Sequence, residues 1–179
     1  REIKPMSATA APTYDYDLLV IGAGSGGVRA ARMAASFGAR VAVVERQALG
    51  GTCVNVGCIP KKLFAYASAF PAEFAAAAGF GWTLPPQNFH WPTLRDNKDR
   101  EIARLNGIYG RLLDTAGVVL HQGRAVLRGP HAVAVDGVTL TSRYILLATG
   151  GEPFVPAFPG REHVITSNDY LVERDARTL

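Results

Sequence analysis

Tyr16-Asp17-Leu18-Leu19-Val20-Ile21-Gly22-Ala23-Gly24-Ser25-Gly26-Gly27 is the stretch that decides the fold. Its apolar run ends in glycines and reads as a fully buried strand. From Gly24 to Phe37, Val28, Ala31 and Met33 (with Ala34 and Ala35) recur at helix-like spacing, and Arg40–Glu45 is a second apolar run ending in an acid. Strand, helix and strand within about 30 residues make one βαβ unit, with a right-handed crossover and two parallel strands in one sheet. Gly22, Gly24 and Gly27 supply G-x-G-x-x-G. The first glycine permits the tight turn, the second lets backbone approach a pyrophosphate, and the third lets the helix sit close to the strand. The helix N-terminus offers N–H groups and the positive dipole end to phosphates. Glu45, 18 residues after Gly27, stands where a carboxylate accepts hydrogen bonds from ribose hydroxyls. A mere glycine-rich turn with a solvated acid leaves the strand before, the helix after and the spacing of the acid unexplained. Glu45 repels a 2′-phosphate, so NADP is a poor ligand here; FAD and NAD share the fingerprint, which does not separate them.

The 179 residues suit one domain. With 48% hydrophobic and 19% charged residues the mix is that of a globular chain, which excludes wholesale disorder. Nineteen Lys+Arg against 15 Asp+Glu give +4. The basic residues are scattered without an interleaved aromatic stripe, so no nucleic acid partner is expected. No unbroken run approaches the roughly 18 apolar residues of a membrane span, so no membrane partner is expected. Arg1–Thr13 lacks the apolar centre of a secretory signal. It is expected to be a flexible tail, with Arg1–Pro5 a vector remnant before an original Met6. The expected location is cytoplasmic. His90, His121, His131 and His163 are dispersed and receive no role.

Downstream, Pro60–Phe70 reads as a helix with proline in its first turn, its buried side being Phe64, Tyr66 and Phe70. Residues 72–78 form a second helical piece and 79–91 a loop. Pro92–Ala116 is a long charged helix with Leu94, Ile102, Leu105, Ile108 and Leu112 as apolar positions. Short strands fall at 118–121, 124–127, 132–135 and 138–140, with Asp136-Gly137 a hairpin signal. Arg143–Ala148 is another buried strand, stopping at Thr149-Gly150-Gly151, and Ser167 caps a final helix. The expected fold is α/β and Rossmann-like: a parallel sheet with helices on both faces plus a small antiparallel β-meander.

Gly50-Gly51-Thr52-Cys53-Val54-Asn55-Val56-Gly57-Cys58-Ile59-Pro60-Lys61-Lys62 carries the chain's two cysteines. A disulfide needs Cα atoms about 4.4–6.8 Å apart, whereas five residues of helix rise about 7.5 Å. The pair therefore needs an irregular turn, which Gly57 helps to permit. Lys61, Lys62 and the first turn of a helix are expected to lower the thiol pKa values. Zinc normally takes four ligands, and no second C-x-x-C or H-x-x-H pair exists, so no metal is expected. Inert buried thiols would not need these glycines and lysines, and redox chemistry is preferred.

Gly50–Lys62 resembles the active-site signature of the pyridine nucleotide–disulfide oxidoreductases, a family of FAD enzymes. The doubled lysine after Ile59-Pro60 is similar to the members that reduce glutathione disulfide; lipoamide dehydrogenases and mercuric reductases usually place serine before a single lysine. Arg104–Tyr109 and Ala148–Gly151 extend the resemblance, which runs from about Tyr16 to Asp169. It implies that the fold holds FAD in a cradle of Gly22, Gly24, Gly27 and Gly51, with Ser25, Gly26 and Thr52 near the phosphates and Glu45 on the adenosine ribose. Ala125 backbone would meet the adenine end, and Thr149-Gly150 would pack by the cofactor. It further implies Lys61 beside the flavin, Cys58 as the flavin-side sulfur and Cys53 as the outer sulfur that attacks glutathione disulfide, with NADPH as electron donor. Ser25, Arg32 and Tyr109 are the implied substrate contacts, and Arg29 suits an anionic substrate.

The resemblance also implies parts expected beyond Leu179. These are a second glycine fingerprint for NADPH, a Gly-Asp return segment, and an interface domain supplying a His–Glu pair across a homodimer. Residues 14–168 are thus expected to be the N-terminal part of an FAD-binding domain and 169–179 the start of a linker to the NADPH domain. Alone the chain is expected to have little or no turnover, and its sheet to show an exposed edge or apolar patch. The parent reads as an enzyme of cell redox homeostasis. The alternatives are a thioredoxin- or mercuric-reductase-type relative, a non-catalytic FAD-binding module, and an NAD-only protein that leaves the cysteines unexplained.

Overall fold

The expected βαβ unit is β1 (Tyr16–Ile21), α1 (Ser25–Ser36) and β2 (Val41–Glu45) in the computed structural model, which describes residues 13–172. Two helices follow, α2 (Gly51–Asn55) and α3 (Cys58–Ala77), then α4 (Trp91–Thr115). Four strands come next: β3 (Val119–Gln122), β4 (Ala125–Gly129), β5 (Ala132–Val135) and β6 (Val138–Leu147). The last described helix is α5 (Ser167–Val172).

The sheet order is β3-β2-β1-β6-β5-β4. β1 runs parallel to β2 and β6, and β2 parallel to β3, while β4, β5 and β6 are antiparallel. Four consecutive residues of β2, Val41 to Val44, are buried, as a strand covered on both faces requires. Val20, Val41 and Val43 pack with Val28 and Ala31 of α1 and Leu113 of α4. Leu19, Ala42 and Val44 point the other way and meet Val133, Val135 and Leu140. Helices therefore cover one face, and the antiparallel meander, rather than the helices expected on both faces, covers the other. Its β5–β6 turn has φ of +44° at Asp136 and +89° at Gly137, the twist that a two-residue hairpin favours.

The third fingerprint glycine has the tightest constraint. A Cβ at Gly27 would fall 1.8 Å from the Gly22 carbonyl oxygen and 3.3 Å from Val20 Cγ1. Only a residue without a side chain lets α1 lie this close to β1.

Several boundaries differ from the sequence expectation. The strands expected at 138–140 and 143–148 are one strand: β6 pairs with β5 through Thr141 and with β1 from Ser142 to Leu147. The polar Thr141-Ser142 step is bound in place. Asp15 Oδ2 accepts from Thr141 N–H (2.8 Å) and Oγ1 (2.7 Å), and Ser142 Oγ donates to Tyr144 O (2.7 Å). The two helical pieces after Cys58 are one helix with Pro71 inside it. The last helix is capped by Thr166, not Ser167: Asp169 Oδ2 accepts from Thr166 N–H (2.8 Å) and Oγ1 (2.7 Å), and Asp169 N–H donates to Thr166 Oγ1 (3.4 Å).

Of the aromatics expected on the buried side of α3, Phe64 packs on Trp91 (ring centroids 5.3 Å apart), but Tyr66 and Phe70 are 58% and 55% exposed. α3 packs on α2 and α4 and leaves this side outward. Through Gly51–Phe80 it also forms a helical stretch long and apolar enough, by length and composition alone, to cross a membrane. That corrects the expectation of no such stretch, which Lys61, Lys62 and Glu73 break up when only unbroken apolar runs are sought. The beginning of the same stretch lines a polar cleft described below.

On its β1-distal side, β6 beyond Thr141 has no strand partner among the described residues, and Tyr144 and Leu147 are each 60% exposed. This is the exposed edge expected of the sheet. The tail expected at 1–13 lies outside the described residues except for Thr13, as does the 173–179 part of the expected linker.

Urea unfolding tests the strand–helix contact. Gly27→Ala should lose about 1–3 kcal/mol, as overpacked sites do. Gly26→Ala, whose Cβ meets nothing within 4 Å, should hold or gain stability, because alanine is the better helix former by about 1 kcal/mol.

Candidate nucleotide and dithiol site

Two adjoining cavities of about 300 and 250 Å³ open at the C-terminal ends of β1, β2 and β6, the position where open α/β sheets bind ligands. Gly22, Glu45, Arg46, Thr149, Gly150 and Glu152 line both. Ala125 belongs to the first, and Gly24, Gly51 and Thr52 to the second. Eight residues expected to hold a cofactor thus share one cleft: Gly22, Gly24, Glu45, Gly51, Thr52, Ala125, Thr149 and Gly150. Ser25 and Gly26 are exposed in the first turn of α1, and Gly27 is buried under Gly22. Gly24, the residue before α1, lends no side-chain cap, which leaves the N–H groups of that turn for a ligand.

Glu45 is held before any ligand arrives. Its Oε2 accepts from Ala23 N–H (2.7 Å) and its Oε1 from Gln47 N–H (2.8 Å). Each carboxylate oxygen keeps lone-pair capacity for a hydroxyl. Arg46 and Glu152 form an ion pair (2.6 Å) across the cleft between residues 106 apart in sequence. Sequence reasoning missed that pair, because no local pattern signals a contact so distant.

The Gly50–Lys62 segment opens with a short helix, α2, ahead of the irregular turn. Its residues favour helix weakly, and side chains hold it together. Asn55 Nδ2 donates to Leu49 O (3.0 Å) and Gly51 O (2.9 Å), and Asn106 Nδ2 of α4 donates to Leu49 O (2.7 Å) and Asn55 Oδ1 (3.0 Å). These two asparagines position the site and were also missed; Asn106 lies inside the quoted Arg104–Tyr109 segment and is its one side-chain amide.

Cys53 sits on α2, and Cys58 opens α3. Gly57 makes the irregular turn between them, as expected: a Cβ there would meet Thr52 O at 2.8 Å and Cys53 Cα at 3.4 Å. Both cysteines are free thiols, Cys53 half-buried and Cys58 exposed. The expected lowering of the thiol pKa is reversed at Cys53. Hydrogen bonding to Cys58 holds its pKa above the ordinary thiol value, with burial and the charge of a Cys58 thiolate acting the same way; Lys61 acts oppositely and more weakly. The ammonium of Lys62 lies 5.6 Å from the centroid of the Tyr66 ring instead. Lys61 is exposed on the first turn of α3 and does not line the cleft.

The implied substrate residues are dispersed. Arg32 is exposed on α1 and lines a groove on the α4 side, Ser25 lies at the α1 N-terminus, and half-buried Tyr109 packs against the core under α1.

The pH dependence of alkylation by iodoacetamide, read at each cysteine by tandem mass spectrometry, checks the thiol electrostatics. Cys53 should react with a midpoint above the ordinary thiol value, and Cys58→Ala should move that midpoint down by removing the largest cause of the rise.

Comparison with known proteins agrees with this geometry. The family model described as pyridine nucleotide-disulphide oxidoreductase matches residues 16–178. The chain is 52% identical over 156 residues to a glutathione reductase of Burkholderia cepacia, covering 87% of this chain and 35% of that protein. It is 48% identical over 157 residues to a glutathione reductase of Nostoc sp. (88% and 34%). With the chloroplastic/mitochondrial glutathione reductase of Pisum sativum it shares 46% over 175 residues (92% and 32%). The chain spans about a third of the length of these curated relatives. With a glycine-lined cleft at the strand ends, a glycine-turned cysteine pair and a match over nearly its whole length, the chain belongs to the pyridine nucleotide-disulphide oxidoreductase family.

Proposed function

We propose that the chain is the FAD-binding and redox-disulfide segment of an NADPH-dependent glutathione-disulfide reductase. One observation carries this reading: α2 serves the cleft and the sulfur pair together. Gly51, Thr52 and Asn55 line the cleft, while Cys53 between them interacts with Cys58. A nucleotide-bound redox group would therefore lie beside a dithiol.

The residues fit FAD. Glu45 has its carboxylate fixed for a ribose, the first turn of α1 and the Gly51-Thr52 backbone would hold the pyrophosphate, and Ala125 would border the adenine. When bound, the flavin would supply a two-electron carrier between NADPH and the sulfur pair.

The chain's own chemistry is thiol–disulfide exchange. Cys53 loses its proton, and its sulfur attacks one sulfur of glutathione disulfide. A Cys53–glutathione bond forms, the substrate S–S bond breaks, and the first glutathione leaves as thiolate to take up a proton. Cys58 sulfur then attacks Cys53 sulfur. The Cys53–Cys58 bond forms, and the second glutathione leaves. Two protein thiols are oxidised to one disulfide, and one substrate disulfide is reduced to two thiols. The charge of Lys61 favours the Cys53 thiolate, and Gly57 keeps the two sulfurs within exchange range. The outward apolar side of α3, with Tyr66, Phe70 and Phe74, supports a homodimeric parent in which another copy covers it.

Full-length protein should show flavin absorbance and NADPH-dependent reduction of glutathione disulfide. Cys53→Ser should keep the flavin and lower turnover by about 10³-fold or more, as loss of a nucleophile does. Undiminished turnover in that variant, or a full-length protein inert toward glutathione disulfide, would overturn the reading.

A further inference from the structure

Among the described residues one charged side chain is buried, and it lines neither the cleft nor the sulfur pair: Lys98 of α4, 2% exposed. Its Nζ donates to Leu171 O of α5 (3.0 Å), pairs with Asp99 Oδ1 (2.8 Å) and stands 5.6 Å from the centroid of the Phe64 ring of α3. Carbonyl, carboxylate and ring face together offset the loss of water that burying an ammonium entails. The arrangement is directional. An apolar side chain of similar volume can fill such a space as stably, but only a donor fixes one carbonyl of one helix.

That helix depends on its neighbours. α5 has six residues, well short of the roughly 12–15 at which an isolated helix begins to persist. Leu171 is buried, and Tyr170 meets the Phe64 ring edge-on with centroids 6.4 Å apart. The Lys98 bond takes up a carbonyl of the last turn, where helices leave their acceptors without internal partners. α5 is therefore seated by α3 and α4 rather than by its own propensity.

Seating α5 sets one wall of the cleft. Asn168, one turn before Leu171, is half-buried and lines the second cavity together with Thr52 and Asn55 of α2 and Thr149 and Gly150 after β6. Its side-chain amide has no hydrogen-bond partner among the described residues, and it offers two donors and an acceptor to a ligand.

We propose that Lys98 is a positioning residue for cofactor retention: it latches α5 so that the Asn168 amide closes the α2 side of the cleft over the bound dinucleotide. The inference rests on the FAD reading and adds to it a latch 70 residues away from the helix turn that it holds in place. The affinity of flavin-stripped full-length protein for FAD, read from quenching of flavin fluorescence on titration, tests it without recourse to turnover. Asn168→Ala should weaken FAD binding about five- to ten-fold, the range of one hydrogen bond. Lys98→Met (or Lys98→Gln, where the first variant does not fold) should weaken it by a similar factor. Lys98→Arg, which keeps a donor and a cation, should stay within about three-fold of wild type. Coupling separates positioning from a general loss of stability: in an Asn168→Ala background the Lys98 substitution should change FAD affinity by less than two-fold. Unchanged affinity in either single variant, or effects that multiply in the double variant, overturns the inference and leaves the functional reading standing. A full-length wild type that binds no FAD removes both.

Discussion

Everything at the site depends on how closely two glycine loops approach each other. Gly50 N–H donates to Ala23 O at 2.9 Å, and Gly24 and Gly50 form an isolated parallel bridge. A Cβ on Gly51 would lie 2.7 Å from Gly24 Cα, and the φ there is +60°. The fingerprint turn after β1 and the start of the cysteine-bearing α2 are therefore one continuous piece of backbone packing. No side chain fits between them, and the distance between cradle and dithiol follows from backbone geometry. A ligand that approaches the fingerprint must also approach α2.

The electrostatics of the sulfur pair follow from this closeness. Thiols beside a lysine at the head of a helix should ionise early, but at Cys53 the hydrogen bond to Cys58 outweighs the charge of Lys61. Hydrogen bonding between them stabilises the protonated Cys53, and a thiolate at Cys58 would oppose a second thiolate at Cys53. A pair arranged this way resists carrying two negative charges at once. It suits a site where one sulfur attacks while the other still shares its proton, and where closing the disulfide relieves the crowding.

The parts legible in the sequence are those in which one physical cause dominates. β1-α1-β2 could be read because Val41 to Val44 are buried on both faces and because Gly22 and Gly27 have no substitute. In the cleft, Gly22, Gly24 and Glu45 were legible from the fingerprint and its spacing, whereas Thr52, Ala125, Thr149 and Gly150 were legible only through the family resemblance. α2 was not, because it is stabilised by Asn55 and Asn106 rather than by helix propensity, and the partners lie 51 residues apart. The continuity of β6 was hidden by Thr141-Ser142, a polar step that reads as a break until Asp15 is seen to satisfy it. The exposure of Tyr66 and Phe70 was also hidden, because periodicity shows that a helix has an apolar side but not what that side meets.

The helix α4 shows how one element can be assigned two tasks in the same turns. Asn106, Tyr109, Gly110 and Leu113 form an inner stripe: Asn106 grips Leu49 and Asn55, Tyr109 and Leu113 join the core under α1, and a Cβ on Gly110 would already touch Leu49 Cδ1 at 3.6 Å. Two residues later, Ile108, Arg111, Leu112 and Thr115 repeat the spacing and line the groove. Interleaved stripes offset by two residues point about 200° apart, given 3.6 residues per turn, so one faces the site and core while the other faces solvent. Leu113 is buried and Arg111 exposed although only two positions separate them. A helix anchored to α2 through its inner stripe therefore holds its outer stripe, and the groove that it lines, in a fixed orientation to α2.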